Sequence, residues 1–96
     1  MPKILLVDDE RAITDNLSPF LERAGFVVQV AVDGEDALSK AAHFVPDLIV
    51  SDVLMPRLDG REMLRRLRRG GDWIPIILLT QVGESTEPES NGEENA

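Results

Sequence analysis

Three aspartates directly follow two apolar runs of this sequence. Asp8 and Asp9 follow KILLV, and Asp52 follows LIVS. A carboxylate at the end of a buried strand is costly unless a partner compensates its charge. If the two runs are adjacent parallel strands, all three carboxylates gather at one edge of a sheet. Such a cluster predicts a site for a hard divalent cation, with a carboxylate nucleophile inside it.

The elements around these acids alternate between strand and helix patterns. Short apolar runs without period-two alternation predict buried strands, and apolar stripes at helical spacing predict helices. The predicted strands are 3–7, 26–31, 48–51 and 76–80. The predicted helices are 10–24, a segment from the Asp33-Gly34 turn to about Val45, and about 61–69.

This element order predicts an α/β fold, a doubly wound parallel sheet with right-handed crossovers and helices on both faces. In such open sheets, ligands bind beyond the carboxyl ends of the strands, where the strand order reverses. A flavodoxin-like order of 2-1-3-4 makes strands 1 and 3 neighbours at that point. Asp8, Asp9, Asp52 and Thr80 then all lie at carboxyl ends.

Composition narrows the class of protein. The chain has 96 residues, which is one small domain at most, and it has no cysteine, which excludes disulfides and thiol chemistry. Charge follows the first apolar run too early for a secretory signal, and no run is long enough to span a membrane. A cytoplasmic location is therefore expected. The net charge of −8 argues against binding to nucleic acid or to anionic membranes.

Simpler interpretations exist for several of these residues. Asp8 and Asp9 could be acids at a helix N-terminus, where the helix dipole favours negative charge. Thr80 could merely end a strand, and the arginines of the third helix are interpreted as its solvated face. His43 is assigned no role.

The segments VDDE, SDVLMPRLDG and an apolar strand ending in Thr80 occur in that order, with DGEDAL and PDLIVSD between them. Together they resemble the receiver domain of two-component response regulators. The resemblance covers about residues 3–83, so residues 1–83 are expected to form a partial receiver domain. Residues 84–96 hold five Glu and no Lys or Arg, and are expected to form an acidic, disordered tail.

The resemblance implies a role for each residue of the site. Asp52 would accept a phosphoryl group from a histidine kinase or phosphotransfer protein. Asp9 would bind Mg²⁺ directly and Asp8 largely through water, while Asp52 and the main-chain carbonyl of Leu54 would complete the metal site. Thr80 would hydrogen-bond the phosphoryl group and act as a switch. No enzyme activity is implied beyond Mg²⁺-dependent self-phosphorylation and dephosphorylation of Asp52.

The sequence departs from the family pattern after the fourth strand. Receiver domains continue with a fourth helix, a fifth strand and a fifth helix, and the fifth strand supplies a lysine. The lysines of this chain are Lys3 and Lys40, at the start of the first strand and in the second helix. The resemblance therefore implies a truncated, incomplete four-stranded receiver with impaired switching. Its fourth strand would be an exposed apolar edge, which predicts a homo-oligomer formed through that strand.

Two alternatives to the phosphoacceptor hypothesis remain. The chain could be a non-catalytic, self-associating interaction module in which Asp52 is not phosphorylated. A small metal-dependent phosphatase is less favoured, because such an enzyme needs a general acid two residues after the nucleophile. That position is Leu54.

Overall fold

A computed structural model describes residues 1–79 of the chain. Strands and helices alternate along these residues as the sequence predicts, with bounds that differ by one residue or so. The elements are β1 (Lys3–Val7), α1 (Arg11–Arg23), β2 (Val27–Ala31), α2 (Gly34–Phe44), β3 (Leu48–Asp52), α3 (Gly60–Arg69) and β4 (Ile76–Leu79). Thr80 and the predicted tail at 84–96 lie outside the described residues. None of the helices within 1–79 is long and apolar enough to cross a membrane.

The four strands form one parallel sheet in the order β2-β1-β3-β4. This order confirms the predicted doubly wound, flavodoxin-like arrangement. Val7 at the end of β1 is paired with Ala31 of β2 on one side and with Ser51 of β3 on the other. Asp8 and Asp52 each come one residue later, so the register brings them to the same level of the sheet.

The hydrophobic core lies between the sheet and the helices α2 and α3. Leu5, Val7 and Ile49 supply the strand side, and each is almost completely buried. Met63 and Leu67 of α3 pack into the same cluster. Burying each of these side chains contributes about 1.5–3 kcal/mol, so this face contributes substantially to the stability of the sheet that carries the acids.

The opposite face, where α1 contacts β1 and β2, is less completely covered within residues 1–79. Thr14 is the only residue of α1 that is fully buried. Phe20 is 60% exposed although it is one of the apolar residues of this helix. On β4, Ile77 is 49% and Leu79 is 41% exposed. The apolar pattern of the fourth strand alone predicts burial on both faces, but one face is exposed because α1 lies over the other half of the sheet. This exposure agrees with the expected exposed apolar edge.

Aspartates start two of the helices. The Asp33 side chain accepts a hydrogen bond from the Asp36 N–H at the start of α2, and Asp59 accepts one from the Glu62 N–H at the start of α3. These bonds satisfy N–H groups that the helix itself leaves free. Gly25 follows α1 with φ of 104°, a left-handed conformation that glycine adopts without strain, which confirms the predicted helix stop.

Candidate functional site

The three predicted acids meet at the carboxyl edge of the sheet. One carboxylate oxygen from each of Asp8, Asp9 and Asp52 lies within 4.8 Å of the others. Asp8 is 5% and Asp52 is 6% exposed, whereas Asp9 is exposed to solvent. The predicted cluster is confirmed, and it follows from the parallel register of β1 and β3.

Backbone hydrogen bonds fix Asp8 within this cluster. Its N–H donates to the Ala31 carbonyl at 3.1 Å, which extends the pairing of β1 and β2 by one residue. Its Oδ1 accepts a hydrogen bond of 2.9 Å from the Glu10 N–H. The N-cap position of α1 is Glu10, whose side chain makes no capping bond. The alternative that Asp8 or Asp9 occupies the N-cap position of α1 is therefore wrong.

Within residues 1–79, none of the salt bridges involves an acid of the cluster. Burial raises the pKa of Asp8, and the negative charges of Asp52, Asp9 and Glu10 raise it further, while the hydrogen bond from the Glu10 N–H opposes them. Carboxylates held this close repel one another, and a divalent cation relieves that repulsion. The donor set, which consists of carboxylate oxygens, suits Mg²⁺, since Mg²⁺ prefers oxygen ligands and keeps several waters.

The start of α3 lies in close contact with the backbone around Asp52. The Gly60 N–H donates to the Val53 carbonyl at 2.9 Å, and the Val53 N–H donates to the Leu79 carbonyl at 3.1 Å. A Cβ atom on Gly60 would lie 2.5 Å from the Asp52 carbonyl oxygen. The close approach therefore requires glycine. Gly60 ends the segment SDVLMPRLDG, but the sequence alone does not indicate this contact.

The loop between β3 and α3 contains an uncommon turn. The Leu58 N–H donates to the Pro56 carbonyl at 2.8 Å, and Arg57 between them has φ of 67°. Arg57 Nε lies 3.1 Å from Oδ2 of Asp33, and the Gly34 N–H donates to the Leu58 carbonyl at 3.2 Å. Asp33 and Arg57 were not predicted to interact. No local pattern could show this, since the two residues are 24 positions apart.

Asp33 is held in its charged form. The hydrogen bond from the Asp36 N–H is the main cause that lowers the pKa of Asp33, and the hydrogen bond and charge of Arg57 lower it further. Burial acts in the opposite direction but does not outweigh them. The carboxylate is therefore available as an ion-pair partner at neutral pH.

The remaining predicted residues are placed as follows. Leu54 is exposed two residues after Asp52, and the role of its carbonyl stays a prediction. Thr80 lies outside the described residues. Lys3 starts β1, at the opposite end of the strand from Asp8, and Lys40 hydrogen-bonds the Val30 carbonyl. Within the part of the chain that the structure describes, neither lysine therefore forms an ion pair with an acid of the cluster.

The fold and the site together define an α/β domain with a cluster of three acids at the carboxyl edge of its sheet. Residues 4–94 match the family described as the response regulator receiver domain. The chain belongs to this family. The predicted family and its flavodoxin-like fold are both confirmed.

Similar proteins are known from sequence and from structure. The response regulator MprA of Mycobacterium sp. (strain KMS) is 49% identical over 78 residues, which cover 81% of this chain and 34% of MprA. MprA of Mycobacterium leprae matches equally well, at 49% identity over the same shares. The chain thus spans about a third of the length of the curated relatives it matches.

Solved structures give the same result. The receiver domain of the Francisella response regulator 1452 superimposes with a TM-score of 0.80 at 36% identity, covering 83% of this chain and 66% of that one. The chemotaxis response regulator CheY4 of Vibrio cholerae gives a TM-score of 0.77 at 39% identity, covering 81% and 67%.

Proposed function

We propose that this chain accepts a phosphoryl group on Asp52 from the phosphohistidine of a histidine kinase or phosphotransfer protein. The cluster of Asp8, Asp9 and Asp52 carries the proposal, because it combines a buried carboxylate nucleophile with acids suited to Mg²⁺. Membership of the receiver family supports it. A carboxylate oxygen of Asp52 attacks phosphorus and the P–N bond breaks. The imidazole nitrogen leaves with the electron pair.

Different residues of the chain position the nucleophile, hold the cation and contact the transferred group. Asp52 ends a strand that is paired on both sides, so its backbone is fixed before the reaction. Asp8, Asp9, Asp52 and the Leu54 carbonyl would hold Mg²⁺. When bound, the cation would supply positive charge that screens the repulsion between the acids and the phosphoryl group. Thr80 would hydrogen-bond the transferred phosphoryl group and so shift the domain towards its active conformation. The reaction would take place in the cytoplasm.

Treatment with a small phosphodonor and Mg²⁺ tests this function. We expect the intact mass to increase by one phosphoryl group in the wild-type chain, and not in Asp52→Asn or in the presence of a chelator. Asp59→Asn is the matched control, because asparagine also caps a helix and the exposed Asp59 lies outside the cluster. An unchanged mass in the wild type, or a gain that persists in Asp52→Asn, would contradict the proposal.

A second candidate function is a non-catalytic module that associates through β4. Within residues 1–79, β4 pairs with β3 alone, and its exposed Ile77 and Leu79 form an apolar surface beside that edge. Exposed apolar edge strands promote pairing between chains, and charged side chains on an edge prevent it.

Sedimentation of the 96-residue chain in the ultracentrifuge tests whether it associates through β4 or stays monomeric. We expect a reversible dimer that Ile77→Lys converts to a monomer. Val27→Lys is the control, since Val27 is 40% exposed on β2, the strand at the other edge of the sheet. A wild-type chain that stays monomeric at high micromolar concentration, or equal effects of the two lysines, would count against association through β4.

A further inference from the structure

The loop that follows Asp52 is held in a strained conformation. Arg57 occupies the centre of a γ-turn, which the Leu58 N–H closes on the Pro56 carbonyl, and its φ is 67°. Turns of this kind with positive φ are rare, and the left-handed region is unfavourable for a residue that carries a Cβ. Such strain persists only where surrounding contacts impose it. Arg57 and Leu58 of this turn both contact the start of α2.

Two contacts connect this loop to the start of α2. Arg57 Nε pairs with Oδ2 of Asp33 at 3.1 Å, and the Gly34 N–H donates to the Leu58 carbonyl at 3.2 Å. We call this pair of contacts the loop clamp. A Cβ atom on Gly34 would collide with the Leu58 carbonyl, so the chain approaches the loop as closely as a backbone can.

The α2 side of the loop clamp is rigid. Asp33 is buried, and its two carboxylate oxygens have separate partners. Oδ1 accepts the hydrogen bond from the Asp36 N–H at 2.8 Å, and Oδ2 faces Arg57. Since the Asp36 bond caps α2, the whole helix fixes the carboxylate to which Arg57 binds.

The loop is also fixed at its other end. Val53 bonds through its N–H to Leu79 and through its carbonyl to Gly60. Leu54, Met55 and Pro56 lie between Val53 and the loop clamp, and Leu54 is exposed. The position of the Leu54 main chain therefore depends on both ends of the loop.

We propose that the loop clamp positions the loop for cation binding, with Asp33 and Arg57 as positioning residues that do not themselves touch the cation. The clamp keeps the Leu54 carbonyl available as a ligand next to the acid cluster. This inference rests on the proposed function, since it concerns the Mg²⁺ site that the proposed phosphoryl transfer requires. The Arg57 side chain of this ion pair is 65% exposed to solvent, so we expect the pair to contribute little to global stability and its effect to appear at the site.

Arg57→Gly tests whether the loop clamp changes the affinity for Mg²⁺ independently of the thermal stability. Glycine adopts φ of 67° without strain, and this gain offsets the larger conformational entropy that glycine gives the unfolded chain. We therefore expect this variant to unfold at about the same temperature as the wild type. Its affinity for Mg²⁺ should fall by about tenfold, the lower end of the 10–100-fold loss that follows removal of residues that orient a metal ligand. Calorimetric titration with Mg²⁺ and thermal melts in a chelator measure the two quantities.

Asp33→Asn tests the other half of the ion pair. Asparagine keeps the N-cap of α2 but loses the charge, so we expect a similar loss of Mg²⁺ affinity. The Arg57→Gly/Asp33→Asn double variant should lose no more than either single variant, because both remove one interaction. Arg57→Lys should restore part of the affinity. Arg65→Gln is the control, since Arg65 pairs with Glu62 at 2.9 Å on the surface of α3.

The outcomes of these titrations are distinct. Variants that bind Mg²⁺ like the wild type, or that lose affinity only in proportion to lost stability, overturn the loop clamp and leave phosphorylation of Asp52 unaffected. If instead the variants bind Mg²⁺ more weakly while the wild type is not phosphorylated, the clamp stands and the proposed function fails. A wild-type chain that binds no Mg²⁺ overturns both.

Discussion

Asp9→Asn is expected to lose at least about 100-fold in affinity for Mg²⁺, because Asp9 is the proposed direct ligand. Residues that only orient a metal ligand already contribute about 10–100-fold to affinity, so the loss of a ligand should cost no less. The variant also removes one negative charge from a cluster whose oxygens lie within 4.8 Å of one another. In a chelator it should therefore melt at a higher temperature than the wild type.

The two effects together identify a cation site. At a Mg²⁺ concentration of about ten times the dissociation constant, binding should stabilise the wild type by about 1.4 kcal/mol. Asp9→Asn should gain almost nothing at the same concentration. Asp15→Asn, an exposed acid of α1 outside the cluster, is the control and should respond to Mg²⁺ like the wild type. If Asp9→Asn keeps the full stabilisation by Mg²⁺, Asp9 is not a ligand.

The position of the acids could be predicted because it depends on few variables. The periodicity of the apolar residues predicts the strands, and the alternation of strands with helices predicts a parallel sheet. Once β1 and β3 are neighbours, two residues at their carboxyl ends must be close together. The register of Val7 with Ser51 then leaves Asp8 beside Asp52, as expected.

Contacts between distant loops could not be predicted in this way. The ion pair of Asp33 with Arg57 joins a helix cap to a turn residue, and each of these residues has an ordinary local explanation. The exposure of Phe20 could not be predicted for a related reason, because an apolar stripe shows which face of a helix can pack against a partner but not whether a partner is present. The roles of Leu54 and Thr80 rest on the resemblance to the family and stay predictions.

Gly60→Ala is expected to lower the free energy of unfolding by about 2–4 kcal/mol. The added Cβ would lie 2.5 Å from the Asp52 carbonyl oxygen and 3.2 Å from the Val53 Cα, and both are backbone atoms that cannot rotate away. Either α3 must shift outwards or the end of β3 must move. The total stability of a small domain is about 5–15 kcal/mol, so this loss is a large part of it.

Gly70→Ala is the matched control for this steric argument. Gly70 ends α3 with φ of −80°, which alanine also adopts, and the nearest atoms to its Cβ would lie at 3.5 and 3.6 Å. We expect this variant to be as stable as the wild type or slightly more stable, since alanine restricts the unfolded chain. Urea denaturation measures both variants.

The same substitution should also weaken the cation site. Any movement that relieves the contact at Gly60 displaces the backbone of Asp52 or Val53, and Asp52 belongs to the acid cluster. We therefore expect Gly60→Ala to bind Mg²⁺ more weakly at temperatures where it remains folded, whereas Gly70→Ala should bind it normally. Equal urea midpoints for the two variants would show that α3 does not approach β3 as closely as the glycine contact requires. A loss of stability without a loss of Mg²⁺ affinity would show that α3 moves while Asp52 keeps its place.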